Sequence, residues 1–442
     1  MKIPERPPLP DKSLEYREIL DELVKAGKLI EFFNKTDQSY PYWEKWKWTA
    51  KEWGLDPTRI WSAVKIHRQS RAKIDFSAVF GFQFYLNSPS ILLKNLHELD
   101  LNLGGNLRSD SLIPAEQKNQ YLVSSLMEEA IASSQLEGAA TTRKVAKQML
   151  ENNRKPRNHS EQMIVNNYEA MKWIVANKDK KFTNENILFI HSMLTKGTLS
   201  SSDEEGSFRK DDGVNVVEAA TGRIVYTPPS HTQLEQLMKD FCSFANDMDK
   251  GVFFIHPISK AIVVHFLIGY IHPFVDGNGR TARTLFYWYL IKKNYWLIEY
   301  MSVSRIILGS KAQYAQAYLH TELDDNDLTY FLLYNLKCIQ RALNDLHSYI
   351  EKKNEEKKRA ISLLKNSSFN ERQIMLINEL LLDRDRSFTV TQVQNRMNIS
   401  NQTSRNDLNE LAEKGLVESR KIGKQVHFFA TAEFEKLIPG SK

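Results

Sequence analysis

Two helix-forming runs joined by a loop that no helix can contain fix the centre of this chain. The run AIVVHFLIGYI, ending at Ile271, is apolar on every face, and TARTLFYWYLIKK, ending at Lys293, has helical character; between them lie His272, Pro273 and the glycine turn Asp276-Gly277-Asn278-Gly279. A helix that is apolar all round is one buried on all sides. The first run is shorter than the roughly 20 residues a membrane span needs, and it contains His265, so it predicts a core helix and no membrane crossing. The opening MKIPERPPLP does not read as a signal sequence.

The joining loop carries unusual chemistry. Glycines at 277 and 279 permit backbone geometry closed to other residues and let amide N–H groups approach an anion without obstruction. A helix starting near Asn278 would add its dipole to those amides, favouring a phosphate at Gly277 to Arg280. Arg280 and Arg283, three apart, are expected on one helix face, where planar guanidinium forks suit outer phosphates. His272, with an ordinary pKa of roughly 6.5, is a candidate base. Asp276 is a hard oxygen ligand, and magnesium prefers one or two carboxylates plus substrate phosphates. The structural alternative is turn chemistry between buried helices with solvated arginines. Eight constrained positions at about 5% residue usage match by chance on the order of once in ten billion starting points.

At His272 to Arg283 the chain resembles the Fic family, whose signature HPFx(D/E)GN(G/K)RxxR it fills without departure. The resemblance implies a protein adenylyltransferase that moves AMP from ATP, with Mg²⁺, to a Ser, Thr or Tyr hydroxyl of a target protein or of the chain itself. By that resemblance His272 is the general base, Asp276 holds Mg²⁺, and Phe274 anchors the loop in the core. Gly277, Asn278 and Gly279 would hold the inner phosphates, Arg280 the outer ones and Arg283 the γ-phosphate. Such chemistry depends on positioning and charge stabilisation, so a compact constellation suffices.

Upstream, Ser133 to Gly138 fits the family's inhibitory pattern (S/T)xxxE(G/N). The resemblance implies that Glu137 pairs with Arg283 where the γ-phosphate must bind; the alternative is a solvated Glu near a helix end with Gly138 as its cap. Between the two motifs Val214, Val216, Ile224 and Tyr226 flank an Ala-Thr-Gly turn and predict a β-hairpin. Its free edge could add an extended target segment as a strand, the task of the family's flap. Tyr314 and Tyr318 lie one helical turn apart; Tyr314 carries over as an adenine contact, with core packing as its alternative. His256 and His265 read as structural, and Trp43, Trp46, Trp48, Trp53 and Trp61 as core.

The expected fold is mainly α: a Fic-type helical core with a β-hairpin flap, plus a winged-helix domain. The expected divisions are a helical, aromatic-rich region at 1–105, a catalytic core with the inhibitory helix at 106–346, a charged helical connector at 347–368, and a winged helix-turn-helix at 369–442. In the last, helix, helix, turn, helix and a hairpin around Gly423-Lys424 place Gln402, Thr403, Ser404 and Arg405 at the start of a recognition helix. Its 11 Lys or Arg against 10 Asp or Glu make no basic stripe, leaving DNA contact and protein packing both open. The net charge of +6 demands no acidic partner, and the two cysteines, Cys242 and Cys338, read as free thiols in a reducing cytoplasm. Expected partners are therefore a target hydroxyl, the chain itself, DNA through 369–442 and a second copy in a homodimer, with no membrane. A DNA-binding regulator with a nucleotide-sensing core, and an enzyme that removes AMP, stand beside the adenylyltransferase.

Overall fold

The computed structural model describes residues 3–11, 15–70, 73–76, 83–103, 113, 118–217, 221–247, 254–363, 369–423 and 425–437, which are mainly helical. At the centre, the helices Pro257–Ile271 and Asn278–Lys292 pack on each other. Nearly every residue of both is buried, as the run apolar on all faces requires. His256 caps the first through its ring nitrogen, with Pro257 opening the helix where a missing N–H costs nothing. Around this pair lie the helices Lys118–Leu136, His159–Ala176, Asn184–Thr195, Leu234–Ala245 and Thr329–Leu363. Side-chain caps from Asn158 and Thr183 set where two of them begin. Among the described residues, no helix is long and apolar enough to cross a membrane.

The N-terminal helices Tyr16–Lys25, Leu29–Gln38, Trp43–Glu52 and Pro57–Ser70 do not make a lobe with its own core. Trp46 and Trp61 are fully buried in the same apolar cluster as Ile262 and Trp288. Buried charges tie the join: Lys65 meets Asp324 at 2.7 Å, and Arg68 donates to the Tyr330 hydroxyl at 2.6 Å and the Pro41 carbonyl at 2.8 Å. Trp48 departs from the expected core role; it is exposed, with the Lys51 ammonium 5.1 Å over its ring. The expected division near residue 105 lies outside the described residues, and the helix Thr329–Leu363 runs through 346 without a break, so the connector begins as the extension of a core helix.

The C-terminal unit has a separate core around Leu376, Val393, Leu408 and Phe428. Its helices Glu371–Leu382 and Val390–Met397 open on capping boxes, and Asn398, in the left-handed region, makes the turn into Asn401–Glu413. Strands Val417–Ile422 and Gln425–Ala430 form the wing, and Ser387–Phe388 pairs with the second of them in a three-stranded antiparallel sheet. Gly423 stands at the wing's tip with φ +60°; Lys424 lies outside the described residues.

Candidate active site

The site is the loop between the two central helices. His272 ends the first helix in the left-handed region, φ 49°, and its ring Nδ1 lies 3.1 Å from the Gly269 carbonyl. A hydrogen held on Nδ1 by that carbonyl leaves the Nε2 lone pair free to accept a proton. Burial holds its pKa below the usual histidine value, helped by the nearby Arg209 charge and opposed by the Gly269 bond, Glu137 and Asp276. The imidazole is therefore a neutral base near pH 7.

Phe274 is fully buried, its ring stacked on His191 at 3.7 Å. Asn278 braces the loop from inside: its Oδ1 accepts the Phe274 N–H at 3.0 Å and its Nδ2 donates to the Phe274 carbonyl at 2.8 Å. Both ends of that side chain are thus committed to the loop, and what Asn278 can offer a phosphate is its main-chain N–H. Gly277 has φ +83°, and a Cβ there would meet Thr195 Cγ2 at 2.9 Å, so the position excludes any side chain. The helix starting at Asn278 leaves its first amides without intrahelical acceptors, a ready anion cradle.

The two arginines diverge, against the expectation of a shared face. Arg280 is buried sideways, donating to the Leu194 carbonyl at 2.8 Å, with Asp276 Oδ2 at 3.4 Å. Its guanidinium is drawn to a carbonyl that its own helix cannot satisfy. Arg283 points toward the helix Lys118–Leu136: Nε donates to Ser133 Oγ, and Nη2 to the Ser133 carbonyl and to Glu137 Oε1, each at 2.9 Å. Burial works against the Arg283 charge, yet Glu137, with Tyr314 and Glu129, more than compensates and holds its pKa above the ordinary value.

Glu137 owes its place to how that helix stops. Ala139 N–H reaches the Ser134 carbonyl at 3.0 Å and Gly138 N–H the Gln135 carbonyl at 3.3 Å, with Gly138 at φ +95°: a Schellman ending with Glu137 as the capping residue after Leu136. The capping role of Gly138 and the pairing of Glu137 are therefore one device. One turn before Ser133, the buried Glu129 carboxylate accepts from Tyr287 OH at 2.8 Å, Ser302 Oγ at 3.0 Å, Ser304 N–H at 3.0 Å and Ser304 Oγ, fixing the middle of the helix.

The hairpin forms as Val216–Val217 against Ile224–Tyr226, antiparallel and irregular at Val216/Val217. Val214 lies just before the first strand, and Ala220 of the expected turn lies outside the described residues. Val217 and Ile224 are exposed. Tyr226 instead faces inward; its hydroxyl donates to the Tyr270 carbonyl at 2.9 Å and so moors the flap beside His272. Tyr314 is hydrogen-bonded to His265 Nε2 at 2.8 Å, its ring edge-on to Tyr318 at 5.3 Å. The His256 ring reaches Asp100 Oδ2 at 2.7 Å, so both histidines have structural partners.

Asp276 exposes its carboxylate at the loop surface; Oδ1 accepts the Gly277 N–H at 2.6 Å, and Arg280 stands 3.4 Å from Oδ2. Lone pairs remain for a hard cation. Among the described residues no group of three or more His, Cys, Asp or Glu gathers, so a magnesium ion here would complete its shell with phosphate oxygens and water.

Two residues of the site are missed by the sequence reading. His191 accepts the Gly206 N–H on Nδ1 at 3.0 Å and lies 2.9 Å from the Asp276 carbonyl through Nε2, while burial pushes its pKa down to about 4. Arg209 clamps loop and flap: Nε donates to the His272 carbonyl at 2.9 Å, Nη1 to Asp212 at 3.0 Å, and Nη2 to the Pro229 carbonyl. The one cue in the sequence is the run GSFRKDDG, where an arginine follows a glycine and an aromatic residue.

Residues 181–290 match the Fic/DOC family, and residues 373–423 match the DeoR-like helix-turn-helix domain. Among curated proteins the chain is similar to the protein adenylyltransferase Fic of Aedes aegypti, 29% identical over 180 residues, and to that of Drosophila melanogaster, 28% identical over 180 residues. Each match covers 40% of this chain and 32% of the relative, so the chain spans about a third of their length. A solved Fic family protein from Desulfovibrio desulfuricans aligns over 77% of this chain and 95% of its own, at 18% identity and a TM-score of 0.47.

Proposed function

We propose that the chain is a protein adenylyltransferase that transfers AMP from ATP to a hydroxyl of a target protein or of itself, and that it rests in a self-inhibited state. The observation that carries this reading is Arg283, whose buried guanidinium is taken up by Ser133 and Glu137 at the open N-terminus of the helix Asn278–Lys292. A buried, planar fork beside free helix amides is a place for the terminal phosphate of a nucleotide, and Glu137 competes for it.

In the reaction, His272 Nε2 takes the proton of the incoming hydroxyl, whose oxygen attacks the α-phosphorus of ATP. The bond from that phosphorus to the bridging oxygen breaks, and pyrophosphate leaves. Main-chain N–H groups from Gly277 to Arg280 would hold phosphate oxygens, and the exposed edge of the flap at Val217 and Ile224 would align the target segment. Asp276 would hold magnesium, which neutralises phosphate charge when bound. Tyr314 would border the adenine.

Transfer of α-³²P label from ATP tests this in wild type, Glu137→Gly and Glu137→Gly with His272→Ala. Strong labelling in the single mutant alone is the expected result; absence of labelling in all three would overturn it.

The helix-turn-helix match favours a second activity in the same chain, contact with DNA through the exposed Gln402 and Arg405 of the helix Asn401–Glu413. Salt-sensitive duplex binding lost in Arg405→Ala would support it, and equal binding by the variant would sink it.

A further inference from the structure

We infer that the helix-turn-helix unit governs the self-inhibition by docking on the helix that presents Glu137. The inference rests on the reading of Glu137 as inhibitor and adds the element that sets it. The helix Val390–Met397 packs on Lys118–Leu136 and on Arg143–Glu151. Polar contacts cross that join: Asn395 Nδ2 donates to the Glu151 carbonyl at 2.8 Å, and Arg396 lies 3.6 Å from Glu151 Oε1 while holding Glu379 of its own unit at 2.6 Å. A cavity of about 40 Å³ remains beside these residues, between Lys147 and Tyr349. The two apolar cores stay separate. A join of this kind, crossed by polar contacts and imperfectly filled, can open without unfolding either unit.

The helix Lys118–Leu136 connects the join to the active site. Leu122, Val123 and Leu126 face Gln394, Asn395 and Ile399 of the docked unit across a cavity, whereas Ser133 and Glu137 hold Arg283 at the other end. From Leu126 to Glu137 the helix rises about 16 Å. Glu129 lies between, clamped by Tyr287, Ser302 and Ser304, and acts as a pivot. A rigid helix held at its middle transmits a tilt at one arm to the other. With the unit docked, the far arm is held so that Glu137 reaches Arg283; with it released, that contact weakens. Meanwhile the outer face of Asn401–Glu413, with Arg405 and Asn409, is left exposed.

The test uses the full-length chain with Asn395→Arg and, separately, Glu151→Lys, neither of which touches the site around His272. Amide hydrogen exchange over residues 126–138 is measured together with labelling by α-³²P-ATP. Both variants should raise exchange in that segment and raise labelling by about 5- to 20-fold, the range of an ordinary coupling free energy. Neither should add to the labelling of Glu137→Gly. Unchanged exchange in both variants overturns the inference, as does raised exchange with wild-type labelling while Glu137→Gly labels strongly. Should Glu137→Gly itself fail to label, the adenylyltransferase reading falls, and the exchange data alone decide whether the helix responds to docking.

Discussion

Gly279 and Glu137 face each other so closely that a Cβ on Gly279 would stand 2.1 Å from Glu137 Oε1 and 3.1 Å from Arg283 Nη1. The glycine makes room for the Glu137 carboxylate and for whatever replaces it. Gly279→Ala would push Glu137 aside, since a flexible carboxylate yields first, but the same methyl would fill the approach to the helix amides. Labelling by Gly279→Ala should therefore stay at or below the wild-type level, and adding it to Glu137→Gly should abolish that variant's gain. A strongly labelling Gly279→Ala would show that nothing binds at those amides.

Because burial holds the His272 pKa below its ordinary 6.5, the imidazole is mostly neutral at that pH and above. Glu137 raises that pKa, so Glu137→Gly should lower it further. Labelling by Glu137→Gly should reach half its maximum only below pH 6.5. A half-maximum above that value would mean that another group limits the rate.

His191 fastens three things at once: the Phe274 ring, the Asp276 carbonyl and the Gly206 N–H. Removing it leaves a cavity and an unpaired buried amide, so His191→Ala should cost about 2–4 kcal/mol in urea unfolding. Its folded pKa, about 4 against an ordinary 6.5, is depressed. The contribution is therefore full above roughly 6.5 and lost as pH falls toward 4. Wild type should lose stability over that interval more steeply than His191→Ala does.

How much of this is legible without the fold depends on whether partners are neighbours in sequence. His272, Asp276 and the glycines stand in one turn, so their proximity reads directly, whereas Ser133 and Glu137 come only through the resemblance to the family's inhibitory pattern. Arg280 and Asn278 read as phosphate ligands, because a sequence cannot show that the Leu194 carbonyl and the Phe274 backbone claim their side chains first. His191 and Arg209 are lone polar residues whose partners lie 85 and 63 positions away. Nothing in the sequence marks Lys65 or Arg68; their packing against Asp324 and Tyr330 joins the N-terminal region to the core.

Arg209 links the carbonyl of His272 to the base of the flap, so its loss should misplace base and target together. In the Glu137→Gly background, Arg209→Ala should lower labelling about 10- to 100-fold, the cost of misalignment near 1 Å. Arg209→Lys, which cannot span three acceptors with a planar fork, should recover little of it. Full activity in Arg209→Lys would reduce the residue to a simple charge.

Glu322 gives the opposite pH signature from His191. It follows Tyr314 and Tyr318 at successive turns of the helix Lys311–Leu323, on the face toward the flap, and burial pushes its pKa from 4.5 up to about 8. Tyr226 and Tyr270 feel its charge, which places it near the moored flap. A carboxyl that keeps its proton when folded, but releases it near 4.5 when unfolded, contributes stability that is full below 4.5 and lost as pH rises through 8. The loss cannot exceed about 1.4 kcal/mol per pH unit for one proton. From pH 5 to 8 the urea midpoint of wild type should fall relative to that of Glu322→Gln, which keeps His191, is neutral at position 322 at every pH and keeps the shape of the side chain. Parallel slopes for the two proteins would mean that Glu322 is ionised and solvated in the folded chain.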